Sequence, residues 1–325
     1  MSEPSARAEL LEDRGEAAAG EDFFRSRPFL DAEGVTHSLR VETAAGMLLA
    51  PLIVREIDGG PERDAISPYG YPGLSLDADF AFSGAGEGLN TKSAVDPRAV
   101  DFAATGLVTI FIRHTLAEPP LGYASERNVV QIADPELPPK SRSSDRNQVN
   151  KNLRNGYELR LAPGPETDPA ERAGFMAAYE QTMARTGAAE RYFFAAAYFD
   201  RLLESDQTWL ALARAPDGEI AAASIAARSD GYLHYYLSGS ADSHLRDSPM
   251  KNVVATLVQF SAEQGLPLNL GGGIARGDRL EDFKRGFANR EQPWQTSEIV
   301  CDAETYARLS AGREAGDYFP AYRVS

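Results

Sequence analysis

Lys284 is the residue whose setting in this sequence most invites chemistry. It follows three consecutive glycines, Gly271, Gly272 and Gly273, where the backbone can take positive φ and a ligand can approach the main chain. Between them, Asp278 is placed to cap a helix, and Glu281 three residues later gives capping-box spacing. Leu280, Phe283 and Phe287 recur at i, i+3 and i+7, which predicts one apolar helix face with Lys284 at its edge. Leu268-Asn-Leu270, ahead of the glycines, reads as a buried strand. Strand, glycine loop and helix together set the lysine beside a crevice at the carboxyl end of a strand, where ligands collect in open α/β sheets. A surface lysine on an amphipathic helix has the same spacing.

A hydroxyl is available from Tyr235 or Tyr236, in the aromatic strand Tyr232 to Ser238. Arg276, Arg279, Arg285 and Arg290 crowd around Lys284 in the sequence. A second basic stretch carries Arg142, Arg146, Lys151 and Arg154 on a helix that Ser144 can cap and Gly156 ends, with Val149 and Leu153 facing inward. Such a face is either solvated or phosphate-contacting. Ser67-Pro-Tyr-Gly-Tyr-Pro-Gly73 presents Tyr69 and Tyr71 on a stiff turn, as a packed loop or as a binding wall. His37, His114, His234 and His244 are scattered, and with the single Cys301 they give no metal-ligand spacing, so all four are expected to be structural.

The elements around these residues read as an α/β chain. With 325 residues there is material for about two domains. A net charge of −15 speaks against broad nucleic-acid coating and leaves room for a local basic patch. One cysteine fits a reducing cytoplasm, no apolar run is long enough to span a membrane, and the first residues lack the pattern of a secretory signal. Residues 1–20 are expected to be a disordered leader. Strands are expected over Val35–Glu42, Met47–Val54, Gly106–Ile112 and Asn128–Ala133, an acidic loop or mobile lid over Asp77–Gly88, and a short helix from Asp96 to Ala104. After Pro138-Pro139 come the basic helix, helices over Glu171–Arg185 and Phe193–Glu204, and a meander of three strands joined at Pro216-Asp-Gly218 and Ser229-Asp-Gly231. A helix capped by Ser248 with Pro249 at its first position follows. The strand pattern of Leu39–Val54 echoes Leu210–Ala226, which suggests two copies of one α/β unit, at 21–145 and 146–325.

Four stretches resemble the Fem-type (FemABX) aminoacyltransferases: Ser67–Gly73, Arg146–Gly156, His234-Tyr-Tyr-Leu-Ser-Gly-Ser240, and Gly271–Gly273 through Phe283-Lys-Arg-Gly-Phe287. They span most of residues 20–300 in the family's order. The resemblance implies two side-by-side GNAT-like acyltransferase domains with mixed, largely antiparallel sheets, the first on the acceptor side and the second on the donor side. It implies transfer of an aminoacyl group from aminoacyl-tRNA to an amine of a peptide-like or nucleotide-linked acceptor, as in cell-wall precursor or peptidyl-nucleoside antibiotic biosynthesis. Lys284 matches the family's central lysine, and Tyr235 or Tyr236 its implicated tyrosine. Ser67, Tyr69, Tyr71, Gly271, Gly272, Gly273 and Phe283 are then expected to bind substrate, and Arg276, Arg279, Arg285, Arg154 and Lys151 to bind tRNA. No cofactor and no metal are expected, and a monomer acting in the cytoplasm away from membranes.

Two departures bear on this. Arg25–Glu33 has no clear match to the basic residue with which cell-wall members hold a diphosphate. Leu245-Arg-Asp-Ser-Pro-Met-Lys-Asn252 lacks the glycines with which ordinary GNAT enzymes cradle the CoA pyrophosphate, so acyl-CoA-dependent N-acyl transfer is the alternative reading. A non-catalytic RNA- or peptide-binding module is a third.

Overall fold

Alternating small apolar and charged residues build the first sheet. In β1 (Ala6–Leu11), Ala6 and Ala8 are buried while Arg7 and Glu9 face solvent. The computed structural model describes residues 6–43, 46–76, 81–82, 94–95, 100–116, 124–273, 275–316 and 318–324. β1 pairs antiparallel with β2 (His37–Thr43) along its whole length, so the expected disordered leader contains a strand. Its period-2 pattern lies in a polar composition that hides it.

The chain divides into two compact units, 1–127 with 294–325, and 128–293. The first contains α1 (Arg27–Ala32), β3 (Gly46–Glu56), β4 (Arg63–Ile66), β5 (Ser75–Leu76), β6 (Ala81–Phe82), β7 (Ala94–Val95), β8 (Val100–Asp101) and β9 (Thr109–Arg113). β10 (Ala124–Ala133) leads out of it. β9 pairs parallel with β4, and β4, β3, β2 and β1 follow antiparallel, with β8 parallel on β1. Leu39, Val41, Leu48, Ala50, Leu52, Ile110 and Ile112 form the core of this sheet. The expected acidic loop lies outside the described residues except for Ala81–Phe82, as does the Asp96-Pro97 cap; Val100–Asp101 is strand rather than helix.

The second unit contains α2 (Ser143–Arg154), β11 (Glu158–Pro163), α3 (Pro169–Thr186), α4 (Ala196–Leu203), β12 (Thr208–Arg214), β13 (Ile220–Ser229), β14 (Tyr232–Ser240), α5 (Met250–Glu263), β15 (Leu268–Asn269) and α6 (Arg279–Arg285). The expected three-strand meander is present as β12, β13 and β14, paired antiparallel in sequence, and β11 adds a fourth strand antiparallel to β12. β15 then joins β14 in parallel and β10 antiparallel. This is a mixed α/β sheet. Asp168 and Glu171 close a reciprocal capping box on α3, and Phe175 and Tyr179 are buried on it beside Glu171 and Ala178, while Met183, one turn further on, is half-buried.

β16 (Arg290–Val300) returns the chain to the first unit, where its second half pairs with β9, and α7 (Ala303–Ser310) follows. The fully buried Asp64 fixes the C-terminal segment, accepting from Arg323 Nε at 2.8 Å, Tyr322 Oη at 3.1 Å and Arg55 Nε at 2.9 Å. Residues 294–325 thus belong with the first unit, whereas the sequence pattern assigns them to the second. That pairing connects positions far apart in the chain, which local periodicity does not report.

Candidate active site

β15 delivers the chain into the glycine loop. Gly271 has φ +74°, a left-handed conformation natural to glycine, and its N–H donates to Asn269 Oδ1 at 2.8 Å. A Cβ on Gly272 would lie 2.5 Å from Asn128 Nδ2 and 2.8 Å from the Val129 carbonyl, so only glycine fits there. Asn128 Nδ2 donates to the Gly273 carbonyl at 2.9 Å and pins the loop's far side. In the sequence Asn128 only opens a strand, which gives no signal of this role.

Asp278 caps α6 as expected, accepting from the Glu281 N–H at 2.7 Å. Glu281 reaches back to the Gly277 N–H at 2.7 Å, one residue before the position a capping box uses. The inward face differs from the expected one. Leu280 is 39% exposed, whereas Glu281 and Lys284 are buried, with Phe287 and Ala288 closing the core beyond them. Phe283 is half-buried and packs edge-on against Phe287 at 5.7 Å. The lysine therefore points in, and the leucine points out.

Lys284 Nζ donates to the Gly272 carbonyl at 2.6 Å, and its ammonium lies 6.0 Å from the centre of the Tyr235 ring. Burial pushes the lysine pKa down to about 8, and the Asp278 carboxylate partly offsets this. Burial, rather than crowding by arginines, is the cause. The same burial pushes the Tyr235 hydroxyl up to about 12. At neutral pH this site holds a protonated lysine that readily gives up its proton, beside a tyrosine that keeps its own.

The strand geometry separates the two tyrosines. Pairing of β13 with β14 shifts register: Ile225 faces Leu237 and Ala226 faces Tyr235, leaving Tyr236 as the extra residue of a bulge. Tyr235 packs with the α5 core and stands near Lys284. The Tyr236 hydroxyl instead meets that of Tyr198 at 3.2 Å, and the Tyr198 ring stacks on Phe194 at 4.0 Å. His234 is structural: Nε2 donates to the Ser229 carbonyl at 3.2 Å and Nδ1 accepts from Asn269 Nδ2 at 3.1 Å.

The expected tRNA-contacting residues fall into two kinds. Arg276, Arg279, Lys151 and Arg154 are exposed. Arg285 is engaged with Glu281 and Glu291. Nor does α2 keep to its expected pattern. Arg142 occupies its N-cap, with no side-chain cap from Ser144, and Leu153 is 44% exposed. Its buried face is polar instead: Asn152 donates to Asn252 Oδ1 at 2.7 Å and to the Asp247 carbonyl at 2.8 Å, and Asp145 pairs with Lys251 at 2.9 Å.

Ser67, Tyr69 and Tyr71 belong to the other unit. Ser67 is buried, its Oγ accepting from the Arg113 N–H at 2.9 Å. Tyr71 packs between Phe24 and Trp294, at 5.7 and 5.4 Å. Tyr69 is exposed, with the Arg113 guanidinium 6.0 Å from its ring centre. A cavity of about 340 Å³ in that unit is lined by Glu62, Gly106, Val108, Cys301 and Asp302, and includes none of these residues. Burial pushes the Cys301 thiol up to about 12, which makes it a poor nucleophile.

The start of α5 is equipped differently from the glycine loop. Ser248, expected as its cap, sits in the left-handed region at φ +48° and makes no side-chain cap. Pro249 has no N–H to offer. The Lys251 N–H is taken by the Ser248 carbonyl at 3.0 Å and that of Asn252 by the Pro249 carbonyl at 3.0 Å. Lys251 is engaged by Asp145, and Asp247 adds a second carboxylate. Few donors remain there for an anion.

Residues 139–285 match the family model described as an acetyltransferase (GNAT) domain. No curated protein matches the chain in sequence. Among solved structures, FemX aligns with a TM-score of 0.55 at 11% identity, covering 84% of this chain and 89% of its own. L-PGS from Bacillus licheniformis aligns with a TM-score of 0.55 at 13% identity, covering 83% and 86%. At such identities the likeness is one of fold, and at that level the Fem-type resemblance read in the sequence holds. The stretch that carries Tyr235, the glycine loop and Lys284 is accordingly a GNAT acyltransferase domain, in a chain with the Fem-type fold.

Proposed function

We propose that this acyltransferase moves an aminoacyl group from aminoacyl-tRNA to an amine of a peptide-like acceptor, forming a peptide bond. The observation that carries the proposal is the Lys284 ammonium held 2.6 Å from the Gly272 carbonyl at a buried position beside Tyr235. In the reaction, the acceptor amine attacks the ester carbonyl. The new C–N bond forms, the bond to the ribose oxygen breaks, and the amine's proton is passed to the departing hydroxyl. An ester needs little further activation, so positioning and charge stabilisation supply much of the rate. Lys284 has three N–H donors, one of them given to Gly272. The others are free to face an oxyanion or an RNA phosphate. Tyr235, protonated at neutral pH, can donate its hydroxyl proton to orient the carbonyl, or pass that proton to the departing oxygen as it accepts the one from the amine. Exposed Arg276, Arg279, Lys151 and Arg154 offer phosphate contacts. The acceptor is assigned to the unit that carries Ser67, Tyr69 and Tyr71, and the donor to the unit that carries Lys284.

Acyl-CoA as donor is the second reading, and the description of the matching family favours it. Against it stands the α5 N-terminus, where a proline, intrahelical bonds and two carboxylates occupy the place of a pyrophosphate cradle. The two readings separate when the protein is given charged tRNAs or acyl-CoAs with a panel of amines and product mass is followed. Aminoacylated product that RNase abolishes is the expected result. Full turnover on acetyl-CoA, indifferent to RNase, overturns it.

A further inference from the structure

The hairpin turn Pro216-Asp-Gly-Glu219 and the 3-10 stretch Asp242–Asp247 bring Asp217, Glu219 and His244 together, with one ligand atom from each lying within 4.8 Å of the others. His244 Nε2 is 3.3 Å from Asp217 Oδ2 and 3.1 Å from Glu219 Oε2. Metal–ligand bonds of about 2.0–2.1 Å in a tetrahedron put neighbouring ligand atoms about 3.3 Å apart, so two edges of such a site are already close to size. Both carboxylates are open to solvent, which leaves an entry path and a free coordination position. The Glu219 N–H occupies Asp217 Oδ1 at 3.0 Å and leaves Oδ2 available. Ser243 Oγ donates to Glu219 Oε2 at 2.8 Å, and Arg214 touches the turn only through the Gly218 carbonyl, at 3.1 Å.

The protons around His244 point the same way. Tyr157 has a single hydroxyl proton and donates it to Asp247 Oδ2 at 2.9 Å. Its oxygen, 3.2 Å from His244 Nδ1, can therefore only accept there, which makes Nδ1 the protonated nitrogen. Nε2, on the other side of the ring, faces two carboxylate oxygens. The Tyr157–Asp247 pair behind the imidazole is the kind of outer support that orients a metal-binding histidine.

We infer that Asp217, Glu219 and His244 form a binding site for a divalent transition-metal ion, Zn²⁺ by ligand type, clasping the β12–β13 turn to the stretch that leads into α5. One imidazole and two carboxylates suit Zn²⁺, whereas Mg²⁺ and Ca²⁺ take oxygen ligands. The site does not depend on the reaction proposed above, and its test reads binding rather than turnover. Metal-free protein is titrated with ZnCl₂ by calorimetry, with melting temperature and the visible absorption of added Co²⁺ as second readouts. One equivalent bound, a raised melting temperature, and loss of both in His244→Gln are expected. Tyr157→Phe should weaken binding by about 10–100-fold. Exposed Glu219→Gln gives a second ligand variant that does not disturb the core, and MgCl₂ and CaCl₂ should have little effect. Zn²⁺ uptake no greater in the wild type than in His244→Gln, or none in either, overturns the site and leaves His244 as an imidazolium paired with its carboxylates.

Discussion

Two strand-to-helix connections in the GNAT domain are furnished in opposite ways. From β15 into α6, glycines open the main chain, Asp278 caps the helix, and a buried lysine rests on a loop carbonyl. From β14 into α5, a proline removes a donor, the Lys251 and Asn252 N–H groups are taken by the Ser248 and Pro249 carbonyls, and Asp145 and Asp247 bring negative charge. An anion or a developing oxyanion finds a partner at the first connection and few at the second. The helix N-terminus, the usual anion site of such folds, is here poor in donors, and the buried cation stands at the glycine loop. Breaking either connection should therefore have different consequences.

Gly272→Ala should do the most damage of the substitutions that leave Lys284 in place. The added Cβ meets the Val129 carbonyl at 2.8 Å, and backbone must move. Overpacking of this kind costs about 1–3 kcal/mol. Because the shifted carbonyl is the lysine's anchor, the rate should fall along with the melting temperature.

Next is pH. A lysine at about 8 in the folded chain against 10.5 in the unfolded one loses its proton first when folded. Between those values the unfolded chain binds more protons, so this residue's contribution to stability rises with pH through the window while the useful ammonium disappears. Transfer rate should fall about tenfold per pH unit above about 8, and a pH–rate profile of Lys284→Arg should lack that limb.

At the α5 connection, Lys251→Ala leaves Asp145 nearly buried without its partner. Since Lys251 is about one-fifth exposed, the expected loss is about 1–2 kcal/mol, read as a lower melting temperature with turnover on charged tRNA retained. If Lys251→Ala instead abolished turnover, the contrast between the two connections would fail. The smallest effect is expected from Arg154→Ala: unchanged melting, and a salt dependence of tRNA binding shallower by about one unit of slope.

The sequence made the second unit legible because its signals are local. The Pro216-Asp-Gly218 and Ser229-Asp-Gly231 turns and the Asp278 cap each act within a few residues, and each is present in the structure. β11 was missed although Leu159 and Leu161 alternate with charged residues; it is short and follows directly on a helix. Helix faces were misjudged where polarity and burial part company. Leu153 and Leu280 are exposed, while Asn152, Asp145 and Lys284 are buried by partners distant in the chain: Asn252, Lys251 and Gly272. Those pairings exist only after folding, and apolar periodicity cannot find them. The choice between Tyr235 and Tyr236 likewise waited on a bulge, which strict alternation does not encode.

The central claim is that Lys284 supplies charge to the transferred group or its RNA, and the most direct measurement is the initial rate of transfer from charged tRNA by Lys284→Ala and Lys284→Arg, with melting temperatures as the folding control. Losing one such contact typically costs about 10²–10³ in rate. Lys284→Ala is expected to fold and lose activity on that scale, and Lys284→Arg to recover only part, because a planar fork does not set its charge where an ammonium does. Turnover by Lys284→Ala equal to that of the wild type would contradict the account.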